Sequence, residues 1–579
     1  MTKFPGDKAI YNKLTAKLKQ VLKDDRNQNL AIYLQNLDAK PSSDYSLWKA
    51  TRNLKHPITH QPPLLKADNS WANSDVEKSH VFMDHLHQVF KPNPDIGSTK
   101  IKVVAELLDQ AHQLELPIEK FSKREITRAI KKLNVKKAPG YDLITATALR
   151  ELPEKGIKYL TQLYNAILRR EYVPPQWKVA KIIMIPKPGK SSEDPKSYRP
   201  ISLLPIPSKV MEILLLTRLK PVIEESNIIP DHQFGFRQKH STIEQIHRLV
   251  GNITQTFEQK KYCTASFIDI SQAFDRVWHD GLLYKIKKTL PINYYKLLRS
   301  YLTNRYFFVS QGEASTEIKE IQAGVPQGSV MGPTLYLLYT ADLPISDDVV
   351  MGTFADDTAI MACDDMPNKA THKLQSCLDK VTVWLKDWRI KANETKSVQV
   401  TFTTRRQTCP PVTLNGVQIP QADQVKYLGM YLDRRLTWKK HIFTKRLALG
   451  QQLRKMYWLM KRNSHVSIEN KLLLYKCILK PVWTYGIQLW GTAAHSNIEI
   501  LQRFQSKMLR IIVDAPWYVT NERLHHDLGI KTVKEEIKSK AKTYKERLQL
   551  HPNILAHNLM DEISLSGRRL KLRLPQDLL

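Results

Sequence analysis

The chain has 579 residues, 42% of them hydrophobic, which is enough to build several compact domains. Lys and Arg number 89 against 56 Asp and Glu, so the formal net charge of +33 predicts a polyanionic partner, although a merely solvated basic surface has the same composition. The 5 cysteines include no CxxC pair, so neither a zinc knuckle nor a disulfide framework is expected. No apolar run approaches membrane-spanning length, and we expect no membrane partner.

The first hundred residues combine helical patterns with a polar linker. Apolar residues recur at helical spacing over 10–22 and 30–34. Between about residues 52 and 77 the composition turns to Pro, His, Asn and Asp, which predicts a linker. Helical spacing resumes over 101–114 and 123–133.

Short β-branched segments begin after residue 178 and lie far apart in the sequence. Helical patterns at 209–219 and 330–339 separate some of them. The segments predicted as strands are 179–185, 266–270, 349–362 (two strands joined through Asp356-Asp357), 398–402 and 425–432. This mixture of distant strands and intervening helices predicts an α+β fold.

After Trp438 the sequence is helical and basic. An apolar stripe runs through 442–459 while Lys and Arg crowd the other positions, and further helices are predicted around 468–479 and 498–512. A basic helical domain after a β-rich region suits a clamp on a duplex. An ordinary helical domain with a solvated charged face fits this pattern equally well.

Two acidic segments stand at the ends of predicted strands. Asp356 and Asp357 occupy a turn between apolar strands, where adjacent carboxylates repel each other unless a cation neutralises them. Such a pair alone is usually only a turn, but Asp269 closes a separate strand. A carboxylate at one strand end and a pair in a turn can share two divalent ions, which supports in-line nucleotidyl transfer. Oxygen ligands with open positions favour Mg²⁺, with Mn²⁺ as an alternative.

Ordered motifs surround these carboxylates. In chain order they are Ala-Pro-Gly-Tyr-Asp (138–142), Ser-Tyr-Arg-Pro-Ile-Ser-Leu-Leu-Pro (197–205), Gln-Phe-Gly-Phe-Arg (233–237), the Asp269 segment, Gly-Val-Pro-Gln-Gly-Ser (324–329), Phe-Ala-Asp-Asp (354–357), Asn393 with Lys396, and Tyr-Leu-Gly (427–429). Each is weak alone. Together, from about residue 100 to 545, they resemble the reverse transcriptase of non-LTR (LINE-type) retrotransposons, most closely the jockey group.

The resemblance implies a right-hand polymerase with fingers, palm and helical thumb, preceded by an N-terminal helical extension. The implied boundaries are 1–100 for an extension and linker, 101–167 for the N-terminal part of the fingers, 168–435 for fingers and palm, 436–545 for the thumb and 546–579 for a C-terminal tail.

The resemblance also implies residue roles. Asp269, Asp356 and Asp357 would be catalytic and hold two metal ions. Lys396, followed by Ser397 where the family often has Thr, would act on the pyrophosphate. Phe274 would exclude a 2′-hydroxyl, although a core aromatic near a helix start is the alternative. Lys187, Arg199, Gln327 and Gly328 would bind the dNTP, although Lys187 and Arg199 could instead be generic surface cations. Tyr427, Leu428 and Gly429 would form a primer grip.

The implied reaction extends a DNA 3′-end with dNTPs on an RNA template, primed in the family at a nicked chromosomal target. Action in the nucleus, and also in a cytoplasmic ribonucleoprotein, follows from the same resemblance. No endonuclease constellation is visible before residue 100, so we expect a truncated reading frame and nicking by another protein. Two alternatives stay open: an RNA-dependent RNA polymerase, which Phe274 and Ala355 disfavour, and a non-enzymatic nucleic-acid-binding remnant.

Overall fold

The computed structural model describes residues 5–40, 45–52, 62–111, 118–561, 570 and 574–579. Parts of the predicted linker, of the helical pattern over 101–114 and of the C-terminal tail therefore lie outside the described residues. The chain divides into a larger unit, Gln61–Leu428 with Pro552–Ala556, and a smaller unit, Met1–His60, Gly429–His551 and His557–Leu579. Both helices and sheets are present, as the α+β prediction requires. The finer domain boundaries stay a prediction.

The larger unit contains most of the helices and all but one of the strands found in the described residues. Its α-helices are Asp75–Val89, Lys100–Asp109, Lys123–Lys131, Ala146–Arg150, Glu154–Arg170, Ile206–Glu225, Thr242–Glu258, His279–Thr289, Ile292–Leu302, Gly332–Thr340 and Pro367–Asp387, with 3-10 turns at Pro175–Trp177 and Pro195–Ser197. Capping boxes begin several of them, with Ser74 and Glu77, Ser122 and Glu125, and Ser241 and Glu244.

A four-stranded antiparallel sheet, here the central sheet, forms the middle of the larger unit. Its strands lie in the order Ala392–Phe402, Tyr262–Ile270, Asp357–Asp364 and Val349–Phe354. The strand Tyr262–Ile270 is buried up to Ile268, as its apolar, β-branched sequence requires. The predicted pair of strands joined through Asp356-Asp357 is confirmed.

A second, mixed sheet has the strand order Tyr198–Leu203, Val179–Pro186, Arg305–Gln311 and Ala314–Ser315, with Lys319–Ile321 also paired to Arg305–Gln311. Val179–Pro186 runs antiparallel to Tyr198–Leu203 and parallel to Arg305–Gln311. Of the strands in this sheet, the sequence predicted only Val179–Pro186, over residues 179–185. The larger unit also contains two short antiparallel strand pairs, Leu64–Leu65 with Trp71–Ala72 and Thr413–Leu414 with Val417–Gln418. Its last strand in chain order is Gln424–Tyr427.

The smaller unit is almost wholly helical within its described residues. Its elements are the strand Met430–Asp433, the α-helices Pro5–Gln35, Ser46–Ala50, Lys439–Met460, Ile468–Leu474, Lys480–Thr484, Ile487–Trp490, His495–Val513, Asn521–Asp527 and Val533–Leu548, the π-helix Tyr475–Leu479 and the 3-10 turns Asn558–Met560 and Pro575–Leu578. The short helix Ile554–His557 lies at the boundary of the units. Among the described residues, no helix has the length and apolarity needed to cross a membrane.

A buried carboxylate connects elements of the larger unit. Glu212 is fully buried and accepts hydrogen bonds from the backbone N–H groups of Val330 (2.6 Å) and Met331 (3.0 Å) and from the hydroxyl of Tyr301 (3.1 Å). Burial raises the pKa of Glu212, while these hydrogen bonds act in the opposite direction. The carboxylate thus satisfies N–H groups at the start of the helix Gly332–Thr340.

We expect Glu212→Leu to lower the free energy of unfolding by roughly 3 kcal/mol, because two buried N–H groups and a hydroxyl lose their acceptor. Urea unfolding monitored by circular dichroism measures the loss. The control is Glu225→Leu, an exposed carboxylate at the end of the same helix. If Glu212→Leu lowered the free energy of unfolding no more than Glu225→Leu does, the role of Glu212 as a stabilising hydrogen-bond acceptor would be contradicted.

Candidate active site

Three carboxylates lie at one end of the central sheet. Asp269 is the last residue but one of Tyr262–Ile270, and the pairing of Thr358 with Ile268 sets the Asp356-Asp357 turn beside it. Burial, and then the neighbouring Asp269, raise the pKa of Asp356, while Arg199 lowers it. Burial raises the pKa of Asp357 to about 6, and the charges of Asp356 and Asp269 contribute. The structure therefore brings the three predicted carboxylates together.

This group suits a divalent cation by its chemistry. Carboxylates that raise one another's pKa gain most from a hard cation that neutralises them, and oxygen donors are the ligands that Mg²⁺ prefers. In the part of the chain that the structure describes, no group of three or more His, Cys, Asp or Glu is arranged to hold a metal ion by itself. The two-metal site accordingly stays a prediction.

The turn that carries the acidic pair is supported by the motif Gln-Phe-Gly-Phe-Arg. Ala355 has a positive φ of 58°, and the Gln233 side-chain oxygen accepts hydrogen bonds from the N–H groups of Ala355 (2.9 Å) and Gly235 (2.8 Å). The Phe234 N–H also donates to the carbonyl of Thr353 (2.9 Å). A Cβ on Gly235 would lie 2.2 Å from the Ala355 nitrogen, so only glycine allows this approach. The sequence marked this motif by its order but assigned Gln233 no role.

A bulge places Lys396 beside the carboxylates. The strand Ala392–Phe402 pairs Asn393 with Asp269, and its register then shifts before Val398. Within the bulge the Ser397 hydroxyl accepts a hydrogen bond from the Asp269 N–H (3.1 Å) and donates to the Asn393 carbonyl (2.8 Å). Ser397 thus fixes Asp269 and the bulge together.

Asp269 and Asp356, but not Asp357, line a cleft of about 1330 Å³ together with several other predicted site residues. These are Phe274, Gln327, Lys187, Arg199 and Lys396. Partial burial lowers the pKa of Lys187, and the charges of Arg199 and Lys396 lower it further. A lysine whose charged form is disfavoured by two neighbouring cations gains from a bound anion, so the three residues form a suitable site for a polyphosphate.

Gln327 and Gly328 rest on the mixed sheet. The Gln327 carbonyl accepts a hydrogen bond from the Ser202 N–H (2.7 Å). Gly328 has a φ of 122°, and a Cβ there would lie 2.6 Å from the Ser202 carbonyl oxygen. The predicted requirement for glycine therefore arises from the neighbouring strand.

Phe274 is held between two aromatic rings. It stacks on Tyr336 with centroids 4.5 Å apart and meets Phe236 edge-on at 5.8 Å. Its side chain is half-buried and lines the cleft, five residues before the helix His279–Thr289 begins. The ring is thus both packed and accessible from the cleft, which a core aromatic would not be.

A buried carboxylate that the sequence did not single out lies beside Gln327. Asp275 accepts a hydrogen bond from the Gln327 side-chain amide (2.7 Å). Burial raises the pKa of Asp275 to about 7, against the opposing effects of Gln327, Lys187 and Arg276. Asp275 therefore orients a side chain of the cleft.

The three predicted primer-grip residues lie at the boundary of the units. Tyr427 is buried, packs against Phe267 with centroids 5.2 Å apart and donates a hydrogen bond to the Gly352 carbonyl (3.3 Å). Leu428 has a φ of 44°. Gly429 belongs to the smaller unit, with a φ of 81°. Tyr427 supports the central sheet, and the primer-grip role stays a prediction.

Comparison with known proteins gives matches along the whole chain. Residues 185–432 match the family described as reverse transcriptase (RNA-dependent DNA polymerase). The chain is 41% identical over 583 residues to a probable RNA-directed DNA polymerase from transposon X-element of Drosophila melanogaster, with 100% of this chain aligned. It is 39% identical over 585 residues, 98% of this chain, to the RNA-directed DNA polymerase from mobile element jockey of Drosophila funebris. The chain spans 64% of the length of each of these relatives.

We expect Gln233→Leu to speed amide hydrogen exchange at Ala355 and Gly235 by about tenfold, because both N–H groups lose their acceptor. Hydrogen exchange resolved by mass spectrometry measures this change. The control is Gln238→Leu, an exposed position in the same segment. Unchanged exchange in the turn would show that Gln233 does not support it.

The raised pKa of Asp275 predicts a pH-dependent stability. A carboxyl whose folded pKa lies above its unfolded value contributes stability at low pH that is lost as the pH rises through about 7. We therefore expect Asp275→Asn to gain stability relative to the wild type between pH 5 and pH 8, as measured by urea unfolding. Asp280→Asn, at an exposed position, should show no such trend. If the difference in the free energy of unfolding between Asp275→Asn and the wild type stayed constant over this pH range, the raised pKa of Asp275 would be contradicted.

Proposed function

We propose that this chain, whose residues 185–432 match the reverse transcriptase family, is a right-hand polymerase that extends a DNA 3′-end with dNTPs on an RNA template as part of a non-LTR retrotransposon. The observation that carries the proposal is the meeting of Asp269, Asp356 and Asp357 at one end of the central sheet, where Asp269 and Asp356 line the same cleft as Lys187 and Arg199. Clustered carboxylates and cations in one cleft suit a reaction on a nucleoside triphosphate.

Asp269, Asp356 and Asp357 would hold two divalent ions, Mg²⁺ or alternatively Mn²⁺. When bound, such ions activate the attacking 3′-hydroxyl and stabilise the negative charge on the leaving pyrophosphate. The chain itself contributes the alignment of the three carboxylates. Gln233 fixes the backbone of the turn and Ser397 fixes the backbone N–H of Asp269.

Lys187, Arg199 and Lys396 would bind the triphosphate. Partial burial and the charges of Arg199 and Lys396 lower the pKa of Lys187 in the free protein, so phosphate oxygens would offset this cost of keeping Lys187 charged. Lys396, which lies on the bulge next to Asp269 and lines the cleft, would neutralise or protonate the pyrophosphate.

Gln327 and Phe274 would position the nucleotide. The hydrogen bond to Asp275 fixes the Gln327 amide, and Gly328, the next residue, packs closely against the backbone of Ser202. Phe274, held by Tyr336 and Phe236, would lie under the sugar and exclude a 2′-hydroxyl.

The partners of this reaction are an RNA template, a DNA primer and dNTPs. We place the reaction in the nucleus, with the protein also in a cytoplasmic ribonucleoprotein. Microscopy of the tagged chain tests the nuclear location, and exclusion of the chain from the nucleus would contradict it.

Primer extension tests the function itself. On an RNA template with a DNA primer, we expect extension with dNTPs and little extension with NTPs. The reverse preference would favour an RNA-dependent RNA polymerase. No extension with either set, by a folded protein that still binds RNA, would favour a non-enzymatic binding protein.

We expect Asp356→Asn to lower the extension rate by at least a thousandfold, because the variant loses one of three clustered carboxylates, while RNA binding is retained. Asp348→Asn, at an exposed pair outside the site, is the matched control. Primer extension and filter binding are measured on both variants. Normal extension by Asp356→Asn would refute the metal assignment.

We expect Phe274→Ala to reduce discrimination against ribonucleotides at least tenfold, because it removes the ring that would meet the 2′-hydroxyl. The measurement is the ratio of kcat/KM for a dNTP and the matching NTP. Phe274→Tyr keeps the ring and should keep the selectivity. If Phe274→Ala also keeps it, Phe274 is not the gate.

A further inference from the structure

Two exposed aromatic rings lie in the smaller unit, in the loop between the helices His495–Val513 and Asn521–Asp527. Trp517 is 90% exposed and Tyr518 is 70% exposed. Their rings meet edge-on, with centroids 6.1 Å apart. Aromatic rings of this size are usually buried at least in part, so two adjacent exposed ones indicate a contact surface.

The loop is fixed by the helix that precedes it. The Arg510 guanidinium donates hydrogen bonds to the carbonyls of Pro516 (2.9 Å) and Val519 and to the side-chain oxygen of Asn521 (3.0 Å). Ala515 is buried and its N–H donates to the Arg510 carbonyl (3.1 Å). The rings are therefore displayed from an ordered loop, and little backbone entropy remains to be lost when they bind a partner.

The surroundings of the loop are basic. On the helix His495–Val513, the exposed Arg503 and Lys507 precede Arg510 by seven and three positions, so all three lie on one face that leads to the loop. Residues 429–551 contain 24 Lys and Arg against 9 Asp and Glu. Asp514, the acidic residue of the loop, forms an ion pair with Arg462 (3.2 Å). This basic face therefore favours a partner that carries negative charge.

We propose that Trp517 and Tyr518 form a stacking platform for unpaired bases of a single-stranded nucleic acid, whose phosphates are bound by Arg503 and Lys507. Aromatic rings beside cations match the two components of a single strand, bases with open faces and a phosphate backbone. A duplex offers no open base face except at its ends. RNA and DNA share this chemistry, and the site lies outside the residues assigned to nucleotide addition.

The test measures binding of three labelled oligonucleotides of one length by fluorescence anisotropy: single-stranded RNA, single-stranded DNA and an abasic DNA strand. Trp517→Ala/Tyr518→Ala should bind the base-bearing RNA or DNA, or both, about tenfold more weakly, while binding of the abasic strand is unchanged. Arg503→Ala/Lys507→Ala should weaken binding of all three strands and reduce its salt dependence.

Two controls make the result specific. Tyr159→Ala removes an exposed ring from the larger unit and should leave binding unchanged. Trp517→Phe/Tyr518→Phe keeps two rings and should retain most of the affinity, which separates stacking from damage to the loop. Because the altered rings are largely exposed, Trp517→Ala/Tyr518→Ala and Trp517→Phe/Tyr518→Phe should both unfold at the wild-type temperature.

Equal affinities of the wild type and Trp517→Ala/Tyr518→Ala for both base-bearing strands would overturn the proposal. An equal loss on the abasic strand would also overturn it, because the effect would then not come from bases. A loss confined to RNA or to DNA supports the platform and identifies its strand. Binding is measured without dNTPs, so failure of the proposed polymerase activity leaves this result independent.

Discussion

The mutual repulsion of three carboxylates is the constraint on which the rest of the larger unit depends. Burial, and then the charges of the neighbouring carboxylates, raise the pKa values of Asp356 and Asp357, so the negative charges of the group disfavour one another. Adjacent strands of the central sheet hold them together. Much of the surrounding structure can be understood as support for this strained arrangement.

That support is mostly uncharged. Gln233 provides one oxygen to two N–H groups of the turn, and Ser397 provides one hydroxyl to both Asp269 and the bulge. Amide and hydroxyl groups position the carboxylates without neutralising them, so their charge stays available for a cation. The cations Lys187, Arg199 and Lys396 line the same cleft, and their proposed role is to attract phosphate. In this site, therefore, uncharged side chains hold the backbone in position, and other side chains carry the charge.

The sequence predicted what depends on local pattern. Apolar β-branched runs around Asp269 and Asp356 predicted the strands, because a buried strand needs such residues, and motif order predicted the reverse transcriptase resemblance that the comparisons confirm. It missed the strand Arg305–Gln311 and assigned no role to Gln233 or Asp275. Gln233 acts on a residue 122 positions away, and the burial that raises the pKa of Asp275 comes from the fold around it. Neither property can be read from neighbouring residues.

The bulge between Asn393 and Val398 also has a consequence for how the chain matures. Asp269 obtains the Ser397 hydroxyl from a residue that lies 128 positions later, so the acidic centre is incomplete until that strand has been synthesised and paired. Contacts of such long sequence separation form slowly, because the loop they close must first be ordered. A ribosome-bound chain that ends shortly after the Asp356-Asp357 turn therefore holds all three carboxylates but no finished site. The acidic centre is therefore completed only when the strand Ala392–Phe402 pairs with Tyr262–Ile270.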